Sequence, residues 1–183
     1  MQTVATDIAG VSIVRTERRL DERGGFARWF CARELRDGFQ DAGICQINHS
    51  HTRHRGTVRG MHFQYPPHAE KKLIRCLSGK IFDVVVDLRE ASPTFMAWRG
   101  FELEAGDDCA LLIPEGCAHG FQTLSDDAQL LYLHTAAYAP EAEGALRFDD
   151  PAIGIAWPLP PQHLSPRDMQ HALLPADFCG IKI

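Results

Sequence analysis

Histidine is the side chain whose unperturbed pKa, about 6.5, lies nearest neutrality, and this chain of 183 residues carries nine of them. Their placement is uneven. His62 stands two residues before Gln64, His119 follows Pro114 and Gly116 at short range, and His49, His51 and His54 crowd one polar run. A buried imidazole beside a carboxylate suits proton abstraction at neutral pH. A set of three or four N/O ligands would instead suit a divalent first-row metal. At strand spacing His49 and His51 share a face, but residues 52–56 read as a polar turn, so this run is expected to hold exposed turn histidines.

Such side chains need elements to aim them. Short apolar or alternating stretches recur between Gly, Pro, Asp and Ser: residues 11–15, 26–31, 44–49, 57–63, 72–76, 81–88, 96–103, 109–113, 120–124 and 129–135. Many short strands at this spacing predict an all-β sandwich or barrel. Helical signal is confined to residues 32–39 and to a few residues after Ser165, where Ser165-Pro166 offers an N-cap followed by proline at the first helical position. Alternation then sorts the faces. In residues 80–88 the even positions Phe82, Val84, Val86 and Leu88 are apolar, whereas the odd ones carry Asp83 and Asp87 beside Ile81 and Val85. Tyr132 and His134 share a face opposite Leu131 and Leu133, and His62 shares one with Gln64. An unpaired polar group in a packed core costs several kcal/mol, on the order of 2–7, so these faces are expected to line a cavity or to meet water as an ordinary outer sheet face.

Length and composition set the bounds. The chain suits a single domain, 1–183, with one site; 45% hydrophobic and 23% charged residues are those of an ordinary globular protein. No repeat, linker or low-complexity tract divides it. The N-terminal residues 1–14 lack the basic and apolar segments of a signal peptide, and no stretch approaches a membrane span, so a cytoplasmic location and no membrane partner are expected. A net charge of −5 without a basic run excludes a nucleic-acid partner. Six cysteines stand singly, without a Cys-x-x-Cys pair, and read as small buried groups.

Pro114-Glu115-Gly116-Cys117-Ala118-His119 fits the second cupin motif, P-x-G-x-x-H, and His62-x-Gln64 with Glu70 and Gly79 resembles the first, with Gln64 where a second histidine belongs. Losing that imidazole speaks against a metal. Further matches follow in order: residues 21–26 (DERGGF), 46–50 (QINHS), 56–64 (GTVRGMHFQ), Lys72-Leu73, 82–89 (FDVVVDLR), Ser92-Pro93-Thr94, 114–121, Tyr132, Asp149-Asp150-Pro151, Trp157-Pro158 and 164–168 (LSPRD). Along nearly its whole length the chain resembles the dTDP-4-dehydrorhamnose 3,5-epimerase family. The resemblance implies a cupin-type double-stranded β-helix, or jelly-roll barrel, with a few short helices. It also implies cofactor-independent epimerisation of a nucleoside-diphosphate 4-keto-6-deoxy sugar, with no metal.

A 4-keto group acidifies the C–H bonds at C3 and C5, so this chemistry needs a base, an enolate stabiliser and an acid on the other face of the ring. By resemblance His62 is the base, Asp168 the carboxylate that orients it, with Asp83 a second candidate for that role, Tyr132 the acid, and Lys72 the cation near the keto oxygen. Arg23, Arg59 and His119 match positions that contact diphosphate or sugar, and Gln46, Asn48 and Glu143 match other substrate contacts. Two positions depart from the family pattern: Arg28 stands where a glutamate often meets the thymine base, and Arg167 replaces a lysine. The identity of the base stays open on that ground. The family also implies a homodimer whose N-terminal strands join the neighbour's sheet. Alternatives at this level are a 3-epimerase, a 5-epimerase or a 3,4-ketoisomerase on another nucleotide, a metal-dependent cupin oxygenase using His49, His51, His62 or His119, and a non-catalytic sugar-binding cupin.

Overall fold

The computed structural model describes residues 1–40 and 42–183. Thirteen strands, two short α-helices and a 3₁₀ turn at Pro140–Ala142 are formed among the described residues. One antiparallel sheet has six strands in the order β1 (Gln2–Ala5), β2 (Ser12–Arg15), β10 (Cys109–Ile113), β7 (Lys72–Ser78), β12 (Ala128–His134) and β5 (Gln46–Thr52). The second has five, in the order β13 (Glu143–Ala145), β6 (Val58–Gln64), β11 (Cys117–Thr123), β8 (Lys80–Asp87) and β9 (Trp98–Glu104). A hairpin of β3 (Arg18–Asp21) and β4 (Gly24–Ala27) stands apart from both. The sheets face one another as a jelly roll, the expected all-β architecture. Among the described residues no helix is long and apolar enough to cross a membrane.

Alternation along the strands builds three apolar layers. Ile74, Leu111, Ile113 and Leu130 of the first sheet pack against Ile81, Val85, Leu103 and Phe121 of the second and fill the interior of the roll. On the outer face of the five-stranded sheet Met61, Phe63, Val84 and Val86 are covered by Ile153, Trp157, Phe178 and Ile181 of the C-terminal segment. On the outer face of the other sheet Val14, Leu73, Ala110, Leu112 and Leu133 are covered by Leu35 and Phe39. The even and odd residues of β8 thus divide as the sequence pattern requires, even positions outward and odd positions into the roll.

Ten expected strands correspond to observed ones with ends moved by a few residues. Expected strand 26–31 stops at Ala27, because among the described residues β4 pairs with β3 alone and the chain then leaves the hairpin. β1, β3 and β13 were not expected; β1 and β3 are exposed throughout and lack the buried alternation that marks a strand. The expected helix 32–39 contracts to α1 (Arg36–Phe39), whose N-cap Leu35 offers no side-chain acceptor and whose interior contains Gly38. The helix after Ser165 is present as α2 (Pro166–Gln170), with Ser165 as the capping side chain. The polar turn expected over 52–56 begins later: Thr52 ends β5 and is buried.

Candidate active site

At one end of the roll the inward positions change from apolar to polar, and a cavity of about 770 Å³ opens between the sheets. His62, on β6, faces it together with His119 of the neighbouring β11; the two histidines are register partners. The strands approach closely because both lack side chains at one point: a Cβ on Gly60 would lie 2.5 Å from the Gly120 Cα, and Gly60 also has φ +120. Asp168 arrives from α2. The Ser165 Oγ accepts the Asp168 N–H at 3.0 Å, which fixes the first turn of that helix and brings the carboxylate to 2.8 Å from His62 Nε2. Burial alone would raise the Asp168 pKa, but the hydrogen bond and charge of His62 outweigh it and hold the carboxyl below its ordinary range. An ionised acceptor at Nε2 keeps the proton on that nitrogen and leaves the lone pair on Nδ1.

The facing sheet supplies the other groups. Tyr132, on β12, lies inward with its hydroxyl 3.4 Å from Ser50 Oγ, and burial raises its pKa, so the phenol stays protonated at neutral pH. Lys72, on β7, donates from Nζ to the His62 carbonyl at 3.2 Å and lies 3.3 Å from Glu70. Glu70 also accepts from His134 Nδ1 at 2.7 Å. Although burial would raise the Glu70 pKa, His134 and Lys72 together hold it below the usual carboxylate range. The cavity therefore contains a fixed ammonium, an oriented imidazole and a protonated phenol, contributed by two different sheets.

Asp83 is fully buried and pairs with His119 Nε2, not with His62. The two residues are on adjacent strands, β8 and β11, whereas the Nε2 of His62 is already taken by Asp168; Asp83 is corrected accordingly from a second orienter of His62 to the partner of His119. Burial lowers the His119 pKa, against the opposing pull of Asp83. Arg59 lines the cavity with its Nε donating to Thr52 Oγ1 at 3.0 Å. Asn48 lines it too, accepting from Gln46 Nε2 at 3.2 Å. Glu143 receives the Tyr138 hydroxyl at 2.9 Å and is paired with Arg167, which lines the same cavity.

Arg23 and Arg28 are not brought to this cavity within one chain. Arg23 sits at the turn of the β3–β4 hairpin, tied to Asp21 at 2.7 Å, and Arg28 is ion-paired with Glu34. Among the described residues the hairpin pairs with neither sheet, and these arginines stay away from the cavity.

Gln64, at the position of a missing ligand histidine, has a structural task. Its amide donates to the carbonyls of His68 and Ala137 at 2.9 and 3.2 Å and accepts the Ala139 N–H at 2.7 Å. His49, at the rim of the cavity, and His51 bond to Gln129 and Asp127 at 3.0 and 2.9 Å. They do not converge with His62. The six thiols are free; burial pushes Cys76 up to about 11 and Cys117 up to about 12, while Cys45 and Cys179 are exposed, unlike the buried groups expected. Sequence reasoning missed Ser50 and His171. Ser50 follows Asn48 by two residues on one strand, and His171 follows Asp168 by three at a helix end, so alternation and helical spacing respectively could have found them.

The jelly roll with a cavity at its polar end is of the cupin type, and its sequence and structural relatives are isomerases. Residues 5–176 match the family model described as dTDP-4-dehydrorhamnose 3,5-epimerase. The chain is 41% identical over 180 residues to the dTDP-4-dehydrorhamnose 3,5-epimerase of Sinorhizobium fredii, covering 96% of this chain and 92% of that one. It is 40% identical to the dTDP-4-dehydrorhamnose 3-epimerase of Streptomyces niveus, covering 93% and 82%. The crystal structure of dTDP-6-deoxy-D-glucose-3,5-epimerase RmlC from Legionella pneumophila, in complex with dTDP-4-keto-L-rhamnose, superposes with a TM-score of 0.89 at 34% identity, covering 98% and 97%. The chain belongs to the dTDP-4-dehydrorhamnose 3,5-epimerase family.

Proposed function

We propose that residues 1–183 act as one epimerase domain that inverts C3 and C5 of a dTDP-linked 4-keto-6-deoxy sugar, by a histidine base and a tyrosine acid through an enolate. The observation that carries this reading is the His62–Asp168 pair on one sheet side of the cavity and the protonated Tyr132 on the other. A sugar ring between them exposes opposite faces to the two groups. Nδ1 of His62 removes the proton next to the keto carbon, and Asp168 stabilises the imidazolium that results. Lys72, whose ammonium is held by Glu70 and the His62 carbonyl, offsets the charge that develops on the keto oxygen. Tyr132 returns a proton from the far face, and the centre inverts. Every proton is handled by the chain's own residues, so the scheme needs neither cofactor nor metal.

Arg59 and His119, on the cavity wall, are assigned to the diphosphate, with Asn48, Gln46, Glu143 and Arg167 as further contacts at its rim. Arg23 and Arg28 enter this scheme through a second copy. Leu20 and Phe26 on the β3–β4 hairpin are 76% and 72% exposed, and among the described residues β1 and β5 end the six-stranded sheet with unpaired edges. Such edges call for a partner. A homodimer in which this hairpin reaches the neighbour's cavity would cover those side chains and bring the two arginines to the nucleotide. The Streptomyces niveus relative, a 3-epimerase at nearly the same identity as the 3,5-epimerase of Sinorhizobium fredii, favours one second reading, inversion at C3 alone.

Proton NMR of the product formed from dTDP-4-keto-6-deoxyglucose tests the reading, since ring couplings report each centre. Inversion at C3 and C5 is expected, and His62→Ala or Asp168→Asn should lower turnover by about 10²–10⁴-fold. Inversion at C3 alone selects the second reading. Migration of the carbonyl, or unchanged substrate, overturns both.

A further inference from the structure

We propose that His62, Asp168 and His171 form a binding site for a divalent transition cation of the zinc class, and that filling it switches the epimerase off. Among the described residues these three form the group of histidine, cysteine and carboxylate ligands whose donor atoms all lie within 4.8 Å of one another. His171 stands at the end of α2, its Nε2 3.7 Å from Asp168 Oδ1 and its ring edge-on to His62 at 5.9 Å. That nitrogen is buried and has no hydrogen-bond partner. It is aimed at a carboxylate it does not reach, an arrangement that plain packing leaves unsatisfied.

A cation completes it. Two imidazoles and a carboxylate are a donor set that suits zinc, with nitrogen and oxygen ligands at about 2.0–2.2 Å. Tetrahedral ligands at that radius are about 3.4 Å apart. The His62–Asp168 and Asp168–His171 separations, 2.8 and 3.7 Å, lie on either side of that figure. The neighbouring cation Arg167 is tied to Glu143, which limits its repulsion of a metal.

Occupation would silence the base through its tautomer. In the free site Asp168 keeps the proton on His62 Nε2 and leaves the Nδ1 lone pair available. A metal on Nε2 uses the lone pair of that nitrogen, so the one proton of the neutral ring must reside on Nδ1, and no basic nitrogen faces the sugar. The inhibition rests on His62 being the base; the binding does not.

Titration with Co²⁺, followed by its visible ligand-field absorption and competed with Zn²⁺, reads binding without reference to activity. The expected result is one site per chain in the full-length protein, with affinity reduced at least tenfold in His171→Ala and in the bulkier His171→Gln. Both variants are checked by circular dichroism for unchanged fold. In turnover assays Zn²⁺ should lower kcat with KM unchanged, a chelator should restore it, and the His171 variants should stay active in Zn²⁺ that silences the wild type. Absence of a one-to-one site, or equal affinity in the variants, overturns the proposal. Metal binding without inhibition of an active enzyme overturns the switch. Metal binding in a chain that turns over no 4-keto sugar would instead count against the epimerase reading while leaving the site intact.

Discussion

Tyr132 and His62 differ in what their loss should do. On the proposed mechanism, loss of His62 slows removal of the carbon-bound proton, whereas Tyr132→Phe keeps the proposed base and removes only the proposed acid of the far face. The expected outcome for Tyr132→Phe in D₂O is solvent exchange at the base-side proton with inversion reduced by about 10²-fold or more, read as deuterium in unepimerised substrate. Loss of exchange and inversion together would give the tyrosine a different role. Alternation put His62 and Tyr132 on polar faces, the family resemblance singled out Lys72 and His119, and all four line the cavity. Which carboxylate serves which histidine was not legible in sequence. Asp83 and Asp168 are separated from His62 by 21 and 106 positions, and only the β8–β11 pairing and the placement of α2 decide between them.

At the scale of elements the site depends on how closely β6 and β11 cross. A Cβ on Gly120 would meet Met61 Sδ at 2.5 Å and the Arg59 carbonyl at 2.7 Å, so the strands would have to separate beside both histidines. Gly120→Ala is expected to cost about 1–3 kcal/mol of stability and to lower kcat more than tenfold, measured by urea unfolding and by turnover. A variant with wild-type kcat would show that the crossing does not set the site. Alternation along β8 and β12 was readable directly, as was the Ser165 cap. The edge strands were not, since β1 and β3 bury no residue and their pairing is decided by neighbours distant in sequence. The contraction of α1 was in principle readable from Gly38 and the absence of a capping side chain.

Across the molecule, the family-matched residues 87–89 and 92–94 lie at and beyond the C-terminal end of β8 and act as a fastening. Arg89 donates to Asp87 at 2.9 and 2.7 Å and to the Ala9 carbonyl at 2.5 Å, and Ser92 and Thr94 donate to the same carboxylate at 2.5 and 2.6 Å. The N-terminal segment is thereby tied to the second sheet. Burial would raise the Asp87 pKa, but these donors hold it at about 2. A carboxyl depressed on folding stabilises above its unfolded value, and that contribution is lost as pH falls toward the folded one. Urea midpoints should therefore decline between pH 3.8 and about 2 in the wild type. Asp87→Asn should be less stable at neutral pH and show a shallower decline; a parallel decline would place the acid sensitivity elsewhere.

The proton-transfer claim is tested most directly by incubating the protein with dTDP-4-keto-6-deoxyglucose in D₂O and following the C3 and C5 proton signals by NMR, for wild type and His62→Ala. The account predicts deuterium at both C3 and C5 with the wild type, or at C3 alone on the second reading, and at least a 10²-fold slower entry with the variant. Exchange at the wild-type rate in His62→Ala would contradict it.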